Sequence, residues 1–143
     1  MNSTDLFLQK GKEVLASQPF SQTLGAELTQ FSAGQCELRI PITKALLQQH
    51  GFVHGGVVSY AADNALTFAG GSALQLPVVT SEFKINYVRP ALGQMLMARA
   101  LVVHIGKSQA VCRCDVFTLQ DGAEKLCAIA QGTITVLSTG NTP

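Results

Sequence analysis

Between residues 78 and 137 the chain falls into four apolar stretches rich in Val, Ile, Thr and Phe, with turn residues between them. Residues 78–88, 94–105, 109–119 and 125–137 therefore read as strands. The gaps hold Arg89-Pro90-Ala91-Leu92-Gly93, Gly106-Lys107-Ser108 and Gln120-Asp121-Gly122, the last with the Asp-Gly signal of a tight hairpin. A parallel crossover needs a dozen or more residues, so gaps this short predict antiparallel neighbours and a four-strand meander. Residues 23–31 and 35–42 read as two further strands around Ser32, Ala33 and Gly34, joining the sheet or covering an edge. Residues 45–52 read as irregular, with Gly51 marking a turn.

Residues 57–72 carry the helical pattern. They contain no proline, and their apolar positions surround nearly the whole helical wheel, which predicts burial on most sides. The exception is a line on one face, where Ser59, Asp63 and Thr67 stand four apart. Gly70 and Gly71 are expected to loosen its end. A shorter helix begins after Ser3, Thr4 and Asp5, any of which suits a cap, and Pro19 ends it. Strands of ~11 residues run roughly 36 Å, and a helix of ~16 residues about 24 Å. The economical layout is α+β: one long helix on one face of a curled antiparallel sheet of about six strands. One helix covers one face only, and long edge strands invite pairing, so an oligomer is expected.

Composition narrows the class. Of 143 residues, 47% are hydrophobic and 13% charged, the opposite of a disordered chain. One domain over residues 1–143 accommodates this length, with 1–20 as an N-terminal helical extension and 138–143 as a flexible tail. The net charge is +1 and no Lys/Arg run appears, so the electrostatic footprint of a nucleic-acid binder is missing. The first 20 residues contain Asp5, Lys10, Lys12 and Glu13 and form no secretory core, and Asp63 and Asn64 interrupt the most apolar stretch. No membrane association is expected, and the cytoplasm is the simplest location. Cys36, Cys112, Cys114 and Cys127 form no C-x-x-C pair and read as reduced, mostly buried thiols.

The chemistry concentrates where Gln48-Gln49-His50-Gly51-Phe52-Val53-His54-Gly55-Gly56 runs into the helix. Glycines at a helix start admit a ligand close to the backbone. The first N–H groups there have no internal partner and sit at the positive end of the helix dipole, so they can stabilise a carbonyl oxygen gaining negative charge. Two turns on, Asp63 puts a carboxylate into an otherwise apolar helix. On the residues alone other readings stay open. Gly55-Gly56 also fits an ordinary loop, His54 a turn-holding hydrogen bond, and Ser59, Asp63 and Thr67 a solvent-facing stripe.

Taken together, His54-Gly55-Gly56-Val57-Val58-Ser59-Tyr60-Ala61-Ala62-Asp63-Asn64 and the later Thr80-Ser81-Glu82-Phe83-Lys84-Ile85-Asn86-Tyr87-Val88-Arg89-Pro90 resemble the hot-dog acyl-CoA thioesterases of the phenylacetate-degradation (PaaI-type) subgroup. The resemblance spans roughly residues 24–136 and implies a hot-dog fold and hydrolysis of an acyl- or aryl-acyl-CoA to the free acid and CoA. It implies Asp63 as general base or nucleophile, Gly55 N–H as donor to the thioester oxygen, and His54 as the residue that fixes the turn or polarises that oxygen. Thr80, or Ser81 after a one-residue gap, would position the water. Gln48 stands where many members have Asn, and His50 is the alternative for that role. Gly56 and Asn64 fall beside the substrate in the same motif. For the CoA phosphates, Lys84, Arg89, Arg99, Lys107 and Arg113 are candidates, and Lys107-Ser108 matches a turn that contacts CoA in relatives. The acyl pocket is expected between the helices of two chains, near Phe52, Tyr60, Leu66 and Phe83. The resemblance further implies no metal or organic cofactor, and a homodimer with sites across its interface, assembled as a dimer of dimers. Two alternatives remain: a non-catalytic acyl-CoA-binding protein, and a hot-dog dehydratase or hydratase, for which a helix glutamate rather than Asp63 is expected.

Overall fold

The computed structural model describes residues 2–138. Asn2 caps α1 (Ser3–Ala16), its side chain accepting from the Asp5 N–H while Asp5 closes the capping box. Pro19 does not simply end this helix. It opens a second one, α2 (Pro19–Leu24), because a residue without an N–H suits the first helical position. Gly25 then stops α2 in the left-handed region, at φ 72°. The first strand consequently begins later than the pattern predicts. β1 spans Glu27–Ser32 and β2 spans Gln35–Pro41. A turn of 3-10 helix at Lys44–Leu46 follows.

The central helix α3 (Gly55–Leu74) is longer at both ends than the apolar run. Gly70 and Gly71 lie inside it and serve contact with the sheet. A Cβ on Gly70 would stand 2.7 Å from the Ile134 Cβ, and one on Gly71 would stand 3.0 Å from Val78 Cγ2. With Ala61, Ala62, Ala65 and Ala69 also buried, the helix presents a face of small side chains and settles close against the strands.

Four long strands complete the sheet: β3 (Val78–Tyr87), β4 (Met95–Ile105), β5 (Gln109–Gln120) and β6 (Ala123–Val136). All neighbours are antiparallel, in the order β1-β2-β4-β5-β6-β3. This corrects the four-strand meander. Only β4, β5 and β6 follow one another; β3 pairs with β6, and β2 takes the place beside β4. The connection from β3 to β4 passes over two strands. Its seven residues reach up to ~24 Å, whereas three strand spacings need only ~14 Å. Bonds from Val88 N–H to Cys127 O and from Gln94 N–H to Leu119 O pin it across the sheet end. The sheet is open, an α+β hot-dog arrangement with two edges. α1 packs on β1, while β3 forms the other edge.

The concave face closes on α3 through Leu38, Ile40, Leu96, Ala98, Val116, Ala128 and Ile134, all essentially inaccessible. The four cysteines are free and buried as well. Burial pushes the Cys36 thiol up to about 12 and those of Cys112 and Cys127 to about 11. On the outer face Glu37 is buried among cations, taking bonds from Arg39 and Arg99 at 2.7 Å each. No helix among the described residues is long and apolar enough to cross a membrane. Of the tail expected at 138–143, all but Ser138 lies outside the described residues.

Candidate active site

The loop before α3 is held from three sides. Val53 N–H donates to Ala91 O at 2.9 Å, His54 N–H to Leu46 O at 2.8 Å, and Gln48 N–H to Phe52 O at 2.8 Å. Gly51 turns the chain at φ 85°, a conformation that favours glycine. His54 then caps the helix: its Nδ1 accepts from Gly56 N–H at 2.8 Å. That bond occupies the Gly56 donor. Gly55 N–H has no hydrogen-bond partner among the described residues. The turn therefore presents one free backbone donor at the positive end of a 20-residue helix.

One row of α3 side chains, Gly55, Ser59, Asp63, Thr67 and Gly71, stands four apart, and β3 runs antiparallel along it. Tyr87 lies over the start of the row. Its hydroxyl donates to Gly55 O at 3.1 Å and is 3.0 Å from Ser59 Oγ. Further along, Thr80 Oγ1 donates to Asp63 Oδ1 at 2.6 Å. Thr67 Oγ1 donates to Asp63 O at 2.8 Å and is 3.0 Å from Thr80 Oγ1. The stripe of Ser59, Asp63 and Thr67 is thus half-buried beneath the strand, not a solvent-facing stripe. The Asp63 carboxylate is oriented through one oxygen, and its Oδ2 has no bonded partner among the described residues.

A bulge between Thr80 and Glu82 decides which hydroxyl faces Asp63. Thr80 turns inward, and Ser81 turns away to donate to Thr133 O at 3.2 Å. Asn64 turns away from Thr80, donating to Gln18 Oε1 at 3.0 Å and Tyr60 OH at 2.9 Å, and so ties the start of α2 to α3. Gln48 folds its Oε1 back onto the exposed His50 N–H.

Beside the helix start lies a cleft of about 340 Å³ whose lining includes Gln48, Phe52, Gly55, Tyr87 and Arg89. Lys107 and Ser108 sit at the opposite end of the sheet from this cleft, where Ser108 O accepts from Val136 N–H, next to the beginning of β3. Of the residues expected around the acyl group, Leu66 is fully inside the core and Tyr60 OH is bound to Ser21 and Asn64. These two do not share a cavity with Phe52. Tyr87 is the residue that sequence reasoning passed over. Its signal was its place at the end of the strand, but its inward direction depends on the bulge, which shifts the alternation by one. Among the described residues no three His, Cys, Asp or Glu side chains come together as a metal-ligand set.

Residues 50–125, which include His54, Gly55, Asp63, Thr80 and Tyr87, match the family model of the thioesterase superfamily. The chain belongs to that superfamily. A crystal structure of a thioesterase family protein from Silicibacter pomeroyi superposes with a TM-score of 0.86 at 35% identity, over 92% of this chain and 99% of that one. The 1,4-dihydroxy-2-naphthoyl-CoA hydrolase of Listeria monocytogenes is 28% identical over 80% of this chain and 93% of its own length. The PaaI protein of the E. coli phenylacetic acid degradation operon shares the fold, with a TM-score of 0.85 at 24% identity over 96% of this chain and 97% of that one. The superfamily match and the names of the Silicibacter and Listeria relatives are those of thioester hydrolases.

Proposed function

We propose that the protein hydrolyses an acyl-CoA thioester at a site shared by two copies of the chain, with Gly55 of one copy facing Asp63 of the other. The observation that carries this reading is a helix with a free N–H at Gly55 and a Thr80-oriented carboxylate at Asp63. Water supplies the new C–O bond while the C–S bond breaks. The Gly55 N–H stabilises the oxygen that becomes negative, and the departing sulfur takes a proton to leave as the CoA thiol. Asp63 either removes the proton from water or attacks first and is released from the anhydride by water. Both routes give the same acid and thiol. Thr80 holds the carboxylate in place, and Tyr87 and His54 hold the turn that carries the donor.

Distance supports the two-chain arrangement. Gly55 and Asp63 of one chain are eight residues apart on a helix, about 12 Å. A carbonyl within ~3 Å of the donor cannot also meet that carboxylate. Two helices lying antiparallel bring each Gly55 to the other chain's Asp63, and β3, an edge strand with Val79 and Tyr87 exposed, supplies a surface for such pairing. The same symmetry carries Lys107 and Ser108 of one chain toward the cleft beside Gly55 and Arg89 of the other, where the phosphates of CoA find cations. The name of the Listeria relative supports a CoA ester as substrate.

Release of free thiol from short, medium, long and aryl acyl-CoAs tests this. Hydrolysis should fall at least about a hundredfold in Asp63→Asn, with circular dichroism and sizing unchanged. A fully active variant would remove Asp63 from the mechanism. Binding of CoA esters without hydrolysis by the native chain would support a binder instead.

A further inference from the structure

A second cleft, of about 520 Å³, opens between α1 and the C-terminal half of α3. Phe7, Val14, Phe31, Phe68, Leu76 and Val78 line it, and Lys10 is its one charged lining residue, on the exposed side of α1. The cleft exists because α1 lies close on β1: Gly11 is buried, and a Cβ there would stand 2.5 Å from Leu28 Cδ2 and Phe31 Cδ2. Phe31 holds both helices, its ring 4.7 Å from Phe7 and edge-on to Phe68 at 5.4 Å. Both the volume and the apolar lining suit a small-molecule site.

The inner wall of this cleft reaches the proposed reaction centre. Thr67 lines it, and the Thr67 hydroxyl is bonded to Asp63 O and lies against Thr80, the residue that holds the Asp63 carboxylate. From there the cleft follows α3 through Phe68, Gly71 and Ser72 to Gln75 and Leu76. Building on the proposed hydrolysis at Asp63, we infer that this α1–α3 cleft receives the acyl group, and that the substrates are CoA esters of uncharged, medium-length alkyl or arylalkyl acids. Thr67 to Gln75 spans about 12 Å of helix, which a zigzag chain of roughly ten carbons with bonds of ~1.5 Å covers. A butanoyl group ends beside Thr67 and leaves the outer lining wet. A tail carrying its own charge would lose its hydration against this lining. Specificity therefore resides in the outer residues Val14 and Leu76, both about half exposed, at 53% each.

The test compares kcat/KM for decanoyl-CoA and butanoyl-CoA in the native chain, Val14→Trp and Leu76→Asp. Trp shortens the cleft and Asp charges its mouth, and both positions are exposed enough to accept the change without refolding the core. The decanoyl-to-butanoyl ratio should fall at least about tenfold in each variant. The native chain contains no tryptophan, so Val14→Trp adds a single fluorophore whose emission should shift with decanoate and not with butanoate. A ratio within about twofold of native in both variants, with no emission shift, would overturn the acyl cleft while leaving thioester hydrolysis standing. A native chain that hydrolyses neither ester would overturn both.

Discussion

Gly55 is the smallest residue in the proposed site, and its backbone carries the role. The N–H and the side chain at this position can be separated by substitution. Proline at the first helical position is well tolerated, and the preceding residue, His54, already has φ −57° and ψ 135°, the extended geometry that a following proline requires. Gly55→Pro therefore deletes the donor while keeping the turn. Gly55→Ala keeps the donor, and its Cβ would meet Tyr87 at 3.6 Å, an ordinary contact. Turnover should fall about a hundredfold or more in Gly55→Pro and stay within several-fold of native in Gly55→Ala, measured by thiol release with helix content checked by circular dichroism. Equal activity in the two would detach the Gly55 N–H from catalysis. The sequence made Gly55 and Asp63 visible because glycine before a helix and a carboxylate within one are unusual residue types at those positions. Thr80 was the first candidate and Ser81 the alternative, but the part Tyr87 takes at the helix start was not visible, because its direction depends on a one-residue bulge that leaves no compositional trace.

At the scale of elements, periodicity revealed the strands and the central helix, since each buries a face and its side chains record it. Element ends and strand order were less legible. Pro19 reads equally as a stop and as a first helical residue, and the choice falls to how α2 packs. The place of β3 beside β6 is a long-range choice, made by a curled sheet whose ends come near enough for seven residues to bridge. The ion network on the outer face is another long-range product. Thr29 on β1, Arg39 on β2 and Arg99 on β4 bond Glu37, and Arg99 reaches on to Glu124 on β6 at 2.7 and 2.8 Å while lying 5.0 Å from the Phe117 ring centroid. Burial pushes the Glu37 carboxyl up, but the bonds from Arg39, Thr29 and Arg99 outweigh it and hold it at about 2, against an ordinary 4.5. A lowered value means stability present above pH ~4.5 and lost as pH falls toward ~2, about 3 kcal/mol in all. Denaturant titrations at steps between pH 6 and pH 2 should show native protein losing more stability than Glu37→Gln by about that amount. Parallel losses in the two proteins would show that the network does not couple folding to this carboxylate.

The whole molecule has one face covered by its helix, one edge strand, β1, packed by α1, and one long edge, β3, that carries exposed Val79 and Tyr87 beside the proposed chemistry. Fold, edge and spacing of Gly55 from Asp63 together favour a pair of chains over a single one. Mixing two inactive variants tests that most directly. Gly55→Pro chains retain Asp63, and Asp63→Asn chains retain the Gly55 donor. After exchange of subunits, a hybrid pair holds one site with both groups intact and one with neither. With equal amounts and random pairing, thiol release should return to about one quarter of native activity, because half the pairs are hybrid and each has one working site. A mixture that exchanges subunits, shown by mass-tagged chains, yet stays as inactive as either variant would contradict a site shared between two copies.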